Sequence, residues 1–108
     1  MRPVVVTAQD GVNSGNSVVV PMDYHCNPFS VGFGCVVTSG TPTFKVQHTF
    51  DDVLNSSVTP TWFDHPSVTG KTANTDGNYA FPVRGIRVVV TAGTGVVTIT
   101  IIQSGTWG

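Results

Sequence analysis

The chain has 108 residues and a formal net charge of −1. Its length predicts one domain that spans residues 1–108. Only 10% of the residues are charged, against about 25% in an average globular chain, and the five cations are dispersed along the sequence. This composition argues against binding to nucleic acid or to an anionic membrane, because both need a concentrated basic surface.

The amino-acid usage favours strands over helices. The chain contains no Glu, Leu54 is its only Leu, and Val and Thr are abundant. β-branched residues fit the pleated surface of a sheet, whereas straight-chain helix formers are scarce here. The N-terminal stretch lacks the apolar run of a signal peptide, and no run reaches the length of a membrane span. We therefore expect a soluble all-β protein that is made in the cytosol.

Apolar residues alternate with polar ones through most of the chain, which is the period of half-buried strands. In the last strand, Val97, Ile99 and Ile101 are predicted to face the core. The connection Gly93-Thr94-Gly95 is short enough for an antiparallel hairpin between the last two strands. The predicted strands are residues 3–8, 17–22, 31–39, 43–50, 83–91 and 96–103.

The longest irregular region is residues 51–81, in which residues 61–63 are predicted to form a short strand. Residues 49–57 could form a single helical turn. Six to eight strands in a chain of this length, with turns at regular spacing, predict an antiparallel β-sandwich of the jelly-roll type.

The two cysteines have different settings. Cys35 alternates with Val31, Phe33 and Val37, which predicts a buried free thiol on an apolar strand face. Whether Cys26 pairs with Cys35 stays open at this point, although a reducing compartment argues against a disulfide.

Residues 48–66 contain the densest group of titratable side chains. His48, Asp51 and Asp52 could reach one metal ion from a strand end, but His48 shares its face with apolar residues, which predicts a hydrogen-bonded, half-buried histidine. The carboxylates resemble turn and cap residues, and Asp64 and His65 are sequence neighbours that would point apart in an extended chain. No nucleophile stands in a recognisable catalytic motif. We expect no enzymatic activity, no metal and no cofactor.

Aromatic residues are the stronger candidates for a functional surface. The candidate protein-interaction residues are Trp62, Phe63, His65 and Trp107. Trp contributes a large contact area at low entropic cost, so it is enriched at interfaces. Trp62 could equally pack beneath its own loop, and Trp107 could dock onto the protein's own sheet.

Residues 43–103 carry a resemblance to a known group of proteins. The segments TFKVQHTFDDV, TWFDHP and TANTDGNYAFPVRGIRVVVTAGTGVVTITIIQ resemble small virion proteins of tailed bacteriophages, of the decoration or cement type. The resemblance implies a small β-sandwich that is made in the bacterial cytoplasm and binds the exterior of an assembled capsid. It implies a dimer or trimer that contacts the major capsid protein lattice, ties neighbouring subunits together and so stabilises the head.

The alternative is a carbohydrate-binding or attachment module of a phage tail or fibre. Such a module would place Trp62 or Trp107 in an exposed shallow groove with Asp and Asn side chains nearby.

Overall fold

The computed structural model describes residues 3–11, 15–22, 26–55 and 57–107, with the backbone alone described at 26–29 and 104–107. Within these residues the chain forms eight strands and no α-helix. The strands are β1 (Val4–Gln9), β2 (Val20–Pro21), β3 (Cys26–Gly40), β4 (Thr43–Thr49), β5 (Phe63–Asp64), β6 (Thr75–Tyr79), β7 (Gly85–Ala92) and β8 (Gly95–Trp107).

The strands form two four-stranded sheets in which every pairing is antiparallel. The order in sheet A is β1-β8-β3-β6, and the order in sheet B is β2-β7-β4-β5. Most consecutive strands alternate between the two sheets, which is the arrangement of a double-sheet jelly roll. The predicted all-β, jelly-roll-like sandwich is therefore confirmed.

Side-chain alternation places the core between the sheets. In β8, Val97, Ile99 and Ile101 are fully buried, as predicted, whereas Ile102 on the opposite face is half exposed. The inward side chains of β3, β4 and β7 complete the core: Val31, Phe33, Cys35, Phe44, Val46, Ile86, Val88 and Val90. Burial of this apolar surface is the main term that stabilises the fold.

The predicted strands 3–8, 31–39, 43–50, 83–91 and 96–103 correspond to β1, β3, β4, β7 and β8. Of the predicted strand 17–22, only the two residues of β2 form a strand. The strand predicted at 61–63 overlaps β5 at Phe63 alone. The helical turn considered at 49–57 does not form in its described part, where Thr49 ends β4 and the residues after it form bends, turns and irregular backbone. β6 was not predicted at all.

The predicted hairpin between the last two strands is wrong. β7 pairs with β2 and β4 in sheet B, whereas β8 pairs with β1 and β3 in sheet A. The connection instead crosses from one sheet to the other beside the turn between β3 and β4, where the Thr41 amide donates to the Thr94 carbonyl at 2.9 Å. Gly93 has φ 73°, and a Cβ there would lie 2.5 Å from the Thr41 carbonyl oxygen, so the crossing requires glycine.

The cysteine question is settled by the strand that holds both residues. Cys26 and Cys35 lie nine residues apart on β3, a separation of roughly 30 Å in an extended strand, so they cannot form a disulfide within one chain. Cys35 is a buried free thiol, as predicted, and burial raises its pKa to about 12.

Candidate functional site

The centre of the candidate site is His48, near the end of β4. Antiparallel pairing sets His48 opposite Phe63 of β5, so the two side chains lie on the same, inward face of sheet B. The His48 ring is buried and stacks against Phe63 at a centroid distance of 6.0 Å. The predicted half-buried histidine is therefore more deeply buried than expected, and its predicted hydrogen bond is made with Tyr79.

His48 is also joined to the opposite sheet. Its Nδ1 atom lies 2.9 Å from the hydroxyl oxygen of Tyr79 in β6, and both groups are buried. Burial lowers the pKa of His48, the neighbouring His65 acts in the same direction, and Asp64 opposes them. Burial also raises the pKa of Tyr79. Both shifts favour the neutral forms of the two side chains.

Three phenylalanines surround His48 at the surface and form what we call the aromatic patch: Phe50, Phe63 and Phe81. Their side chains are 48%, 49% and 44% exposed, respectively. Phe50 lies 5.8 Å from Phe63 and 6.3 Å from Phe81 between ring centroids, so the three rings are contiguous. Phe50 follows β4 and Phe81 follows β6, so the patch covers the sandwich end where the two sheets meet.

His65 lies beneath this region and holds strand edges together. Its ring is buried, Nε2 lies 2.9 Å from the Asn78 carbonyl oxygen, and Nδ1 accepts a hydrogen bond from the Ser67 amide. Its backbone amide donates to the Val46 carbonyl at 2.8 Å. His65 thus joins the loop after β5 to β4 and β6, and its ring is not available to a partner.

The carboxylates near the end of β4 brace the loop that follows. Asp51 Oδ2 accepts a hydrogen bond from the Thr61 amide at 2.7 Å. Asp52 Oδ1 accepts one from the Leu54 amide and lies 3.7 Å from Arg84 Nη2. The predicted turn and cap role of Asp51 and Asp52 is confirmed.

Asp64 belongs to a row of polar side chains on the outer face of sheet B. Gln47 Nε2 donates to Asp64 at 2.9 Å, and Arg87 Nε and Nη2 donate to Gln47 Oε1. The hydrogen bond from Gln47 is the main reason that the pKa of Asp64 is lowered, and Lys45, 3.3 Å away, adds to the effect. The Arg87 guanidinium lies 4.0 Å from the centre of the half-buried Trp62 ring and covers one of its faces.

The structure thus separates the four candidate interaction residues. Phe63 lies in the aromatic patch, Trp62 packs under Arg87, and His65 is buried. The side chain of Trp107 lies outside the described residues. Phe50 and Phe81, which complete the patch, were not among the candidates because they are 31 positions apart and only the cross-sheet packing brings them together.

The chemistry of this arrangement is that of an apolar contact surface. Among the described residues, no three His, Cys, Asp or Glu side chains form a group that could hold a metal ion.

A separate shallow groove of about 360 Å³ lies on sheet A and is lined by Gly32, Phe33, Gly34, Thr100 and Ile102, none of which is titratable. The described part of the chain contains no helix that is long and apolar enough to cross a membrane.

No protein-family model matches the chain, and no curated protein matches it. Among solved structures, a chain of the Bacillus endospore appendages, described as a novel family of disulfide-linked pili, aligns at a TM-score of 0.48 with 13% sequence identity. The alignment covers 96% of this chain and 85% of that chain. A similarity of this size carries no information about function.

Proposed function

We propose that the protein is a non-catalytic structural protein that binds the exterior of an assembled tailed-bacteriophage capsid through the aromatic patch and stabilises the shell. The observation that carries the proposal is the contiguous set of half-exposed phenylalanines around His48. Clustered exposed aromatic rings on a rigid scaffold are typical of protein-binding surfaces. The sequence resemblance of residues 43–103 directs the proposal to a phage capsid.

The scaffold beneath the patch supports its role as a preformed surface. Phe63 and Phe81 pack on His48, which is hydrogen-bonded to Tyr79 of the opposite sheet. Side chains that are already held in place lose little conformational entropy when a partner covers them. The patch can therefore dock against an apolar surface without rearrangement of the sandwich.

The size of the patch determines how it can act. The exposed halves of three phenylalanine rings amount to roughly 300 Å² of apolar surface, on the order of 7 kcal/mol before the costs of association. Those costs are about 4–15 kcal/mol, so one patch alone binds weakly. A decoration role then requires two or more contacts per particle, which raise the affinity for a lattice through effective concentration.

A ligand that binds the shell but not the free subunit stabilises the shell by linkage. Each assembled capsid offers a repeated surface, whereas an isolated subunit offers one site. The proposal therefore predicts a large preference for assembled shells over free major capsid protein.

Co-sedimentation tests this function directly. Purified protein would be mixed with capsid shells that lack it, taken from the phage that encodes it, and in parallel with unassembled major capsid subunits. We expect saturable binding to the shells and a higher melting temperature of the shells after binding. Equal binding to shells and subunits would contradict the stapling mechanism. Binding to a glycan array without binding to shells would instead support the tail or fibre attachment module.

A further inference from the structure

β1 forms one edge of sheet A, and among the described residues it pairs with β8 on one side only. The Asp10 amide donates to the Gly95 carbonyl, and this bond shows which residues of β1 direct their backbone groups toward β8. Because alternate residues of an antiparallel strand bond to the same neighbour, the backbone groups of Val5, Thr7 and Gln9 point away from β8. Within the described residues, β1 pairs with no strand other than β8, and no loop backbone group hydrogen-bonds to its other side.

The other edges of the sandwich are short or capped in the described part of the chain. At the far edge of sheet A, β6 carries the exposed charge of Asp76, and its Asn78 carbonyl oxygen lies 2.9 Å from His65 Nε2. β2 and β5 have two residues each. The outer edge of β4 is bonded to the loop after β5, for example between the Val46 amide and the Val68 carbonyl.

β1 also lacks the features that prevent edge-to-edge association. Proteins usually blunt an edge strand with charges, prolines or bulges, yet VVVTAQ contains none of these over six residues. Val4 and Val6 face inward and pack against the core, but they are only partly buried, and none of the described strands lies beyond them in sheet A. An additional apolar strand at this edge would complete their burial.

We propose that β1 binds β1 of a second copy of this chain in antiparallel orientation and forms a two-fold dimer with a continuous eight-stranded sheet. Self-pairing brings outward-pointing backbone groups of one β1 against those of the other. Opposite residues in an antiparallel pair share a face, so Val4 and Val6 of one copy meet inward-facing residues of the other. The strand has no charged residue, so pairing with itself opposes no like charges.

The dimer would leave both aromatic patches accessible. The patch adjoins β6, which lies at the opposite edge of sheet A from β1. A two-fold dimer would thus present two patches, the number that lattice binding by a weak contact requires. The dimer itself does not rest on the proposed capsid function, because its argument uses only the edge strand.

The test is the mass of the purified full chain by sedimentation equilibrium over a range of concentrations. Thr7→Pro removes an outward amide and places a ring at the pairing edge without touching the ladder to β8. We expect a dimer for the wild-type chain and a dissociation constant raised by about 100-fold or more in Thr7→Pro. Val36→Lys changes an exposed residue of β3 away from the edge and should leave the dimer intact.

Hydrogen exchange of the wild-type chain gives a second readout that needs no variant. The amides of Val5, Thr7 and Gln9 should be protected at concentrations where the dimer forms and should exchange rapidly on dilution. A wild-type monomer or trimer at about 100 µM would overturn the proposal, since isologous edge pairing closes at two copies. A dimer that tolerates Thr7→Pro unchanged, or fast exchange of the three amides in the dimer, would also overturn it.

Discussion

The Nδ1 atom of His48 lies 2.9 Å from the hydroxyl oxygen of Tyr79, and this bond joins the two sheets beneath the aromatic patch. His48 belongs to β4 of sheet B and Tyr79 to β6 of sheet A. Both side chains are buried, and Phe81 packs edge-on against both rings. The bond therefore holds in place the two buried rings against which the exposed phenylalanines pack.

Removal of the Tyr79 hydroxyl tests the contribution of this bond. Tyr79→Phe keeps the ring but leaves the His48 nitrogen without its partner in a buried site, so we expect a loss of about 1–3 kcal/mol in the free energy of unfolding. Urea denaturation of the two proteins at pH 7 measures it. An unchanged unfolding free energy would mean that water or another group replaces the hydroxyl at no cost.

The lowered pKa of His48 predicts how stability depends on pH. In the unfolded chain this histidine takes up a proton near its ordinary pKa of 6.5, whereas the folded protein resists protonation until a lower pH. Between these two values the unfolded state binds more protons, so stability falls as the pH falls, by up to about 1.4 kcal/mol per pH unit. Below the folded pKa the loss from this group levels off.

Urea denaturation between pH 8 and pH 5 would record this dependence, with the His48 ring signals followed by NMR in the same samples. The expected result is a plateau above the ordinary pKa and a decline below it. A His48 titration at or above its ordinary pKa would show that the charged form is tolerated in the fold.

Two glycines on paired strands should differ in how the same substitution changes the stability of the fold. In Gly77→Ala the new Cβ would lie 2.7 Å from Phe33 Cζ and 3.3 Å from His65 Cε1. We expect a loss of about 1–3 kcal/mol from overpacking. A Cβ added at Gly34 would meet no heavy atom within 4 Å, so Gly34→Ala should be neutral or stabilising by up to about 1 kcal/mol. Thermal melts of both variants would reveal whether β6 can shift to relieve the contact.

The alternation in β8 predicts a sharp contrast between neighbouring positions. Ile101 is fully buried, so Ile101→Asp would place an unpaired charge in the core and should cost more than about 4 kcal/mol. Thr100 is on the opposite, partly exposed face, and Thr100→Asp should cost about 1 kcal/mol or less. Circular dichroism and urea titration measure both. Similar losses for the two variants would contradict the assigned faces.

The sequence pattern predicted the long strands well because their burial is decided locally, by alternation within β3, β4, β7 and β8. β6 was not predicted because its sequence, TDGNY, contains little apolar surface. Its Gly77 makes room for Phe33, and only Tyr79 is buried. Such a strand is specified by its neighbours rather than by its own residues.

The crossing between β7 and β8 and the aromatic patch were not predicted for a different reason, which the two features share. Gly93 and Gly95 fit a hairpin and a crossing equally well in sequence, and only the assignment of the two strands to different sheets decides between them. Phe50 and Phe81 likewise have no sequence relationship that marks them as one surface. Both features depend on contacts between residues that are remote in the chain.

The most direct test of the proposed binding surface compares two pairs of exposed apolar residues by co-sedimentation with capsid shells. Phe63→Ser/Phe81→Ser alters the aromatic patch, and Val36→Ser/Ile102→Ser alters residues of similar exposure on the outer face of sheet A. The proposal predicts that the patch variant binds shells at least about 30-fold more weakly than the wild type, as expected for loss of a central contact of about 2 kcal/mol, while the control binds normally. Normal binding by the patch variant, with its fold intact by circular dichroism, would contradict it.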